Sequence, residues 1–193
     1  MTGEVIERSE QALRGELDTL PDGTYEEGIE FTMDDHEISI QVALTIDGDG
    51  LDVDFAGTSD QIEADINCPF GNVVSVTEYV LKCMLVPELP NSEGFFRPIE
   101  VSAPEGSILN CDRPMATMGR HLTYSRAEDA LIRALGQVVP DEALSEMAGI
   151  QLAPFSGTDE DDAEFIAVGG TAGGFPPSVD TDGVPGVFFP FNG

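Results

Sequence analysis

Lysine is nearly absent from this sequence, since Lys82 is the only one among 193 residues. Lysine and arginine together number 8 against 37 aspartates and glutamates, which gives a formal net charge of −29. A nucleic-acid-binding surface needs cations to neutralise phosphates, so this charge argues against such a partner. The acidic residues are dispersed, and 41% of the chain is hydrophobic. The composition therefore predicts a folded protein from a salt-loving organism, because concentrated salt screens the repulsion between its charges.

Cysteine is scarce as well, and Cys68, Cys83 and Cys111 are too widely spaced to form a C-x-x-C pair. Their spacing suggests neither a zinc knuckle nor a thioredoxin-type site. We expect three reduced thiols, with at least Cys83 buried, and a nucleophilic thiol is the minor alternative. The sequence also lacks an apolar run of about 20 residues and an N-terminal apolar signal segment. We therefore expect a cytoplasmic protein without a membrane partner.

What the sequence does contain is a clear hairpin pattern between residues 38 and 55. Apolar and small or polar residues alternate from Ile38 to Ile46, which places the apolar side chains on one face of a strand. The stretch Asp47–Gly50 reads DGDG and favours a tight turn. Alternation resumes at Leu51 and ends at Phe55. The pattern predicts an antiparallel hairpin, and the polar loop that follows it is a plausible functional segment.

The remaining pattern predicts an α+β fold. Helices are predicted over 2–20, 71–86 and 122–139, and strands over 25–33, 98–102 and 165–168. Asn72 is the expected cap of the second helix, and Ser125 with Glu128 the expected capping box of the third. We expect one domain over residues 1–193, with a mixed or antiparallel sheet built on the central hairpin and packed against helices.

Two acidic stretches raise the question of a metal site. Asp34-Asp35-His36 offers ligands, but several convergent groups are needed and no second cluster supplies them. The stretch that begins at Asp47 superficially resembles a calcium-binding loop. However, Leu51 occupies a position that needs an oxygen ligand, and Thr58 occupies the position of the bidentate glutamate. We interpret both stretches as turns and assign no metal ligand.

Several separated motifs resemble the hydantoinase B/oxoprolinase family. They are LPDGTYEEG from Leu20, VDFAGTSDQIEADINCPFGNVVSVTEYVLKCML from Val53, PNSEGFFRPIEVSAPEGSILNCDRP from Pro90, GRHLTYSRAEDALIRALGQVVPD from Gly119 and GGTAGGF from Gly169, followed by Asp182-Gly183. The resemblance covers nearly the whole chain in the expected order. Because subunits of this family are much longer, the chain resembles the later portion of one, truncated at both ends.

The resemblance implies part of the B-type component of an ATP-dependent enzyme that opens cyclic amides such as N-methylhydantoin or 5-oxoproline. ATP would be used by a partner, the hydantoinase A-type subunit, which phosphorylates the amide oxygen, and the B-type component would add water. A divalent metal would be held by the earlier part of that component, which is absent here. The chain itself would bind no cofactor, and the functional assembly would be a hetero-oligomer.

Candidate substrate-side or motif positions also follow from the resemblance. They are Asn67, Asn91, Arg120, Gly170, Gly173 and Asp182. Gly169–Phe175 runs into two prolines and lacks a Walker-type lysine, so it matches no nucleotide-binding loop. Its glycines fit either close approach to a substrate or a tight turn. Arg120 could make a bidentate contact to an anion, but an internal salt bridge is the favoured interpretation. His121 could act as a general base, but a surface or capping role is the favoured interpretation.

Two functional hypotheses remain from the sequence. The first is the later portion of a catalytic B-type component, inactive unless the earlier portion is supplied. The alternative is a non-catalytic remnant or assembly module of the family, or a piece of an acetone or acetophenone carboxylase-type subunit. The sequence does not separate hydrolase from carboxylase relatives, and the catalytic residues stay unassigned.

Overall fold

The chain forms two compact units, residues 1–144 and 145–193. The computed structural model describes residues 2–33, 35–145, 150–175 and 177–185. The assignment of residues 1–193 to one partial domain stays a prediction. Among the described residues, no helix combines the length and apolar character that a membrane crossing requires.

The first unit alternates helices with a four-stranded sheet, which confirms the α+β class. Its elements are α1 (Thr2–Leu17), β1 (Gly23–Met33), β2 (His36–Asp47), β3 (Gly50–Asp54), α2 (Phe70–Leu85), α3 (Glu93–Phe96), β4 (Ile99–Ser102) and α4 (Arg120–Gly136). The strand order is β1-β2-β3-β4. The first three strands are antiparallel neighbours, whereas β4 runs parallel to β3, so the sheet is mixed.

The predicted hairpin is the centre of this sheet. Strands β2 and β3 pair with Ile46 opposite Leu51, and Gly48 takes the positive φ of 58° that the DGDG turn requires. The alternating apolar side chains of both strands are 0–3% exposed: Ile38, Ile40, Val42, Leu44, Ile46, Leu51 and Val53. Each buried branched side chain contributes roughly 1.5–3 kcal/mol, so this face is a main source of stability.

Helix α4 packs on strands β1 and β2 and also contacts α2. Three of its buried residues are alanines, Ala127, Ala130 and Ala134, each fully buried. Small side chains at these positions let the helix backbone approach its neighbours closely, while Leu131 and Leu135 fill the adjoining space. The core of the first unit therefore lies between α4 and the apolar face of the sheet.

Helix α1 contacts the short helix α3 at a point where only glycine fits. A Cβ atom built on Gly94 would lie 1.9 Å from the carbonyl oxygen of Ile6. On α1, Leu13 and Leu17 are fully buried. The C-terminal half of α1 therefore packs inward through these two leucines, whereas Val5 near its start is 47% exposed.

Both predicted helix caps are wrong. Helix α2 begins at Phe70 after Pro69, so Asn72 lies inside its first turn. Helix α4 begins at Arg120 after Gly119, and the hydroxyl of Ser125 donates to the carbonyl oxygen of His121 within the helix (2.7 Å). At α2 the amide of Asn72 donates to the carbonyl of Pro69, and at α4 the amide of Gly119 donates to the carbonyl of Asp65, so both helices start earlier than the capping residues indicate.

The second unit contains a long hairpin that the sequence pattern predicts only in part. Strands β5 (Ile150–Thr158) and β6 (Glu164–Ala172) pair antiparallel along their whole length. The predicted strand over 165–168 is therefore a segment of β6, whereas the pattern does not predict β5. Two short strands follow, β7 (Gly174–Phe175) and β8 (Val184–Pro185), which pair with each other.

Candidate functional site

Two loops of the first unit are joined by backbone hydrogen bonds into one region, which we call the two-loop region (residues 56–69 and 103–119). The amide of Gln61 donates to the carbonyl of Gly106 (2.8 Å), and that of Cys68 donates to the carbonyl of Ile108 (2.7 Å). The amide of Ile108 donates in turn to the carbonyl of Ser59 (2.9 Å). The polar loop singled out by the sequence is thus held by the segment that follows β4.

The hydroxyls of Thr58 and Ser59 fix the start of this region onto β2. Ser59 Oγ accepts from the amide of Ser39 (2.9 Å), and Ser59 N donates to the carbonyl of Ser39 (2.9 Å). Thr58 Oγ1 accepts from the amide of Gln41 (3.1 Å) and donates to its carbonyl (3.2 Å). Because β3 ends at Asp54, these hydroxyls replace strand partners along the rest of β2.

Asn67, a predicted site residue, is fully buried at the centre of the two-loop region. Its Oδ1 accepts from the amide of Ile62 (2.9 Å). Its Nδ2 lies within hydrogen-bond distance of the carbonyls of Ile62 (2.8 Å), Ala64 (2.7 Å) and Ala116 (3.2 Å). The carboxamide therefore ties both loops together, which is the geometry of a positioning residue.

The start of α4 adjoins the same loops and carries Arg120 and His121. The amide of Gly119 donates to the carbonyl of Asp65 (2.7 Å). Within α4, the Thr123 hydroxyl donates to the carbonyl of Ile66 (2.5 Å). These two bonds fix the direction in which the first turn of the helix leaves the loops.

His121 is 9% exposed and lies near charges of both signs. Burial, followed by the repulsion of Arg120, lowers its pKa, while the carboxylate of Asp65 acts in the opposite direction. A lowered pKa leaves the imidazole neutral at neutral pH, so it is able to accept a proton. The sequence favours a surface or capping role for this residue, but the structure buries it.

Arg120 is half-buried beside the two-loop region. Its Nη1 donates to the carbonyl of Thr117 (3.1 Å), and none of the described carboxylates forms an ion pair with it. The internal salt bridge that the sequence favours is therefore not seen in this part of the chain. A guanidinium that donates one hydrogen bond to a carbonyl has further N–H donors with which to bind an anion.

Neither cysteine of this region is suited to act as a nucleophile. Cys68 is fully buried, and burial raises the pKa of its thiol to about 12. Burial also raises the pKa of Cys111, whose amide donates to the carbonyl of Cys68 (3.3 Å). The three thiols are free, as predicted. The prediction that Cys83 is buried is wrong, because it is half-buried and Cys68 is the buried thiol.

Two buried carboxyls on α4 are not indicated by the sequence pattern. Glu128 and Asp129 are 2% and 1% exposed, and Arg126 Nη1 donates to Asp129 Oδ2 (3.1 Å). Burial, and then the repulsion of Asp129, raises the pKa of Glu128 to about 8. Among the described residues, Glu128 Oε1 has no hydrogen-bond partner. Its position one turn before the buried Leu131 and Ile132 was the available signal.

The other predicted site residues lie elsewhere. Asn91 is exposed between α2 and α3, where its Oδ1 accepts from Lys82 Nζ. Gly170 pairs with Leu152 inside strand β6, so the tight-turn interpretation fails for this glycine. Gly173 follows β6, and Asp182 precedes β8. The structure brings Asn67 and Arg120 to the two-loop region and leaves Asn91 outside it, while the remaining three belong to the second unit.

Comparisons with known proteins identify the family to which this chain is similar. A model of the family described as Hydantoinase B/oxoprolinase matches residues 1–192. The putative B component of a D-/L-hydantoinase from Pseudomonas sp. strain NS671 is 32% identical over 168 residues, which cover 80% of this chain and 28% of that protein.

Two solved structures share the fold. The ATP-dependent caprolactamase from Pseudomonas jessenii superposes with a TM-score of 0.76 and 22% identity over 95% of this chain and 33% of its own. Acetone carboxylase in its nucleotide-free structure superposes with a TM-score of 0.74 and 19% identity. The match covers 92% of this chain and 27% of the carboxylase chain. The chain thus spans a third or less of each of these three proteins.

Proposed function

The chain belongs to the hydantoinase B/oxoprolinase family, and from this premise we propose that it forms part of the B-type subunit of an ATP-dependent cyclic-amide hydrolase. The substrates would be hydantoin-like rings or 5-oxoproline. The observation that carries the proposal is the family match over residues 1–192, supported by the similarity to the hydantoinase component of Pseudomonas sp..

The partner in this proposal is an A-type subunit, so the working assembly is a hetero-oligomer. The A-type subunit uses ATP to activate the amide of the ring, and the B-type component directs water to the activated carbon. The similarity to an ATP-dependent caprolactamase supports ATP as the cosubstrate of the assembly.

A divalent metal does not fit the described residues of this chain. They contain no group of three histidine, cysteine, aspartate or glutamate side chains that converge as metal ligands. We propose that the metal is held by the earlier portion of the B-type subunit.

The two-loop region and the start of α4 supply the proposed substrate-side groups. Arg120 would bind the anionic group of the activated substrate, because its guanidinium has no ion-pair partner among the described residues. Neutral His121 would accept a proton from water, and Asn67 would hold the loops in place. Asn91, Gly170, Gly173 and Asp182 remain predicted motif positions.

The direct test is reconstitution in molar KCl. The chain would be combined with the remaining portion of a B-type subunit and with an A-type subunit, and ring opening of hydantoin and 5-oxoproline would be followed with and without ATP. We expect ATP-dependent product from the full assembly and none from the isolated chain. Replacement of Arg120 with methionine should lower the rate by at least about tenfold, because one charge-assisted bond contributes roughly 1.5–3 kcal/mol.

The alternatives predict different products. A carboxylase-type assembly, suggested by the fold shared with acetone carboxylase, would consume bicarbonate and acetone with ATP. A non-catalytic assembly module would join the complex without either reaction. An isolated chain that opened the ring with ATP unaided would contradict the proposal.

We also propose a halophilic, cytoplasmic protein. The net charge of −29 supports the first part, and the second part follows from the proposed use of ATP. The unfolding temperature should rise between dilute buffer and molar KCl, because salt screens repulsion among the carboxylates. Higher stability in dilute buffer would contradict the halophilic assignment.

A further inference from the structure

The hairpin of β5 and β6 is almost uncharged in a highly charged protein. Its two nine-residue strands carry one charged side chain, that of Glu164, whereas charged residues make up 23% of the chain. The other acidic residues of this segment lie in the connection between the strands, at 159–162. The composition of the strands is therefore that of an interior element.

The apolar side chains of this hairpin are exposed on both of its faces. The register places Phe155 and Phe165 on one face, and they are 54% and 42% exposed. Ile166 and Val168 lie on the opposite face and are 82% and 58% exposed. A two-stranded hairpin is marginally stable by itself, and strands that are apolar on both faces are typical of sheets covered on both sides.

The two edges of the hairpin differ in their capacity to add a strand. Pro154 lies in β5 and lacks a backbone donor, which confines β5 to the edge of a sheet. Strand β6 contains no proline, and among the described residues it pairs with β5 alone. The outer edge of β6 is therefore the one that presents free backbone groups for pairing.

A second copy of this chain is a poor occupant for that surface. Pairing of β6 with its copy would extend the sheet but leave the side chains on both faces uncovered. Two molecules with a net charge of −29 each also repel one another. The occupant must instead be a polypeptide of low charge that contacts the edge and both faces.

We propose that the hairpin is an interior element of the complete B-type subunit. An uncharged strand from outside these 193 residues pairs with the outer edge of β6, and apolar side chains of the same subunit cover both faces. The matched protein of Pseudomonas sp. is more than three times as long as the matched segment, which is 28% of it, so it has ample chain to do this. This inference rests on the proposed function, because the B-type subunit supplies the occupant.

The test is co-expression in high salt with a polypeptide made of those parts of the Pseudomonas sp. protein that lie outside its matched segment. A tag on the 193-residue chain would capture that polypeptide. Ile166→Asp and Phe165→Asp each place a charge on one face of the hairpin, and we expect each to reduce capture at least about tenfold. Val5→Asp is the matched control, since Val5 is an exposed apolar residue on α1 (47%), and should reduce capture less than about twofold. Circular dichroism would verify that all variants retain the helices of the first unit.

Three results would overturn the inference: no capture by the unaltered chain, capture that both hairpin variants retain, or a hairpin-dependent dimer of the chain in analytical ultracentrifugation. The readout separates this inference from the proposed function. A hairpin-dependent complex that opens no ring with ATP and an A-type subunit contradicts only the function. Ring opening that is insensitive to the hairpin substitutions contradicts only the docking.

Discussion

Two phenylalanines show how differently the two units of this protein treat an apolar side chain. Phe55 follows β3 and is fully buried, whereas Phe155 lies in β5 and is 54% exposed. In the first unit, polar residues alternate with apolar ones, and one face of the sheet meets α4. In the second unit, both faces of the hairpin are apolar and both are exposed.

Alternation of apolar residues and charge content therefore give separate information about a strand. Alternation in β2 tells which face is buried, and the helix that covers this face belongs to the same unit. The absence of charge in β5 and β6 indicates burial on two faces, but the residues that would provide it are not among those described. A strand can therefore be recognised as an interior element before its neighbours are known.

The largest expected difference in stability is between alanine substitutions at the two phenylalanines. Phe55→Ala should lower the free energy of unfolding by about 3–5 kcal/mol, because it leaves a cavity in a closed core. Phe155→Ala should change it by less than about 0.5 kcal/mol, as is usual at an exposed site. Urea unfolding in molar KCl would measure both values. Equal losses would show that Phe155 is buried in solution and that the two units do not differ in this respect.

The hairpin exposes apolar side chains, whereas the first unit buries an ionisable one, the carboxyl of Glu128. Its pKa is raised from 4.5 to about 8, so the folded state binds the proton more tightly than the unfolded state does. Stability that Glu128 contributes in its protonated form is complete below pH 4.5 and is lost as the pH rises through about 8.

Glu128→Gln should therefore stabilise the protein by about 3 kcal/mol at pH 7 and have little effect at pH 4. The neutral carboxamide keeps nearly the shape of the protonated acid but does not ionise. Unfolding free energies of both proteins at several pH values provide the measurement, with the exposed Glu37→Gln as the control. A stability difference that does not vary with pH would contradict the burial of this carboxyl.

Gly94 tests the close approach of α1 and α3 in the first unit. Gly94→Ala should lower stability by about 1–3 kcal/mol, because its Cβ would meet the carbonyl oxygen of Ile6. Gly15→Ala is the matched control on α1, where the added Cβ has no atom within 4 Å apart from its chain neighbours and the nearby backbone of the helix. That substitution should raise stability by about 0.5–1 kcal/mol through helix propensity. A harmless Gly94→Ala would refute the packing of the two helices.

The smallest effect is expected at Gly157 in the hairpin. Its added Cβ would lie 3.1 Å from the ring of Phe165, which is tight. Because Phe165 is 42% exposed, the ring has room to turn, and Gly157→Ala should change stability by less than about 0.5 kcal/mol. Thermal unfolding would measure this change, and a loss as large as that of Gly94→Ala would show that the ring is held in place.

The sequence predicted the fold best where local and tertiary signals agree. Residues Ile38 to Phe55 form the predicted hairpin because the turn sequence and the alternation of buried side chains specify the same strand pairing. Prediction failed at Ser125, because the amide of Gly119 is bound to the carbonyl of Asp65 and Gly119, six residues before Ser125, is the N-cap residue at which the helix starts. It also failed for β5, where Pro154 and the lack of alternation hide a strand.

The candidate site was predictable only in part, because its contacts are distant in sequence. The family motif pointed to Asn67, but its role as a tie between loops depends on Ala116. The sequence pattern places Glu128 in a capping box, since a serine three residues before a glutamate is the usual sign of one. Its burial depends on how α4 packs, and the local sign of it is the position of Glu128 one turn before Leu131 and Ile132.

The long-range bonds of the two-loop region have a consequence for the order of folding. Asn67 reaches Ala116 across 49 residues, and Thr123 reaches Ile66 across 57. The β2–β3 hairpin, by contrast, closes over a turn of two residues. Because distant contacts require the larger loss of chain entropy, the hairpin should form first and the two-loop region late. On gentle heating, the hydrogen bonds of the two-loop region should therefore be lost while the sheet is still intact, which amide hydrogen exchange would measure.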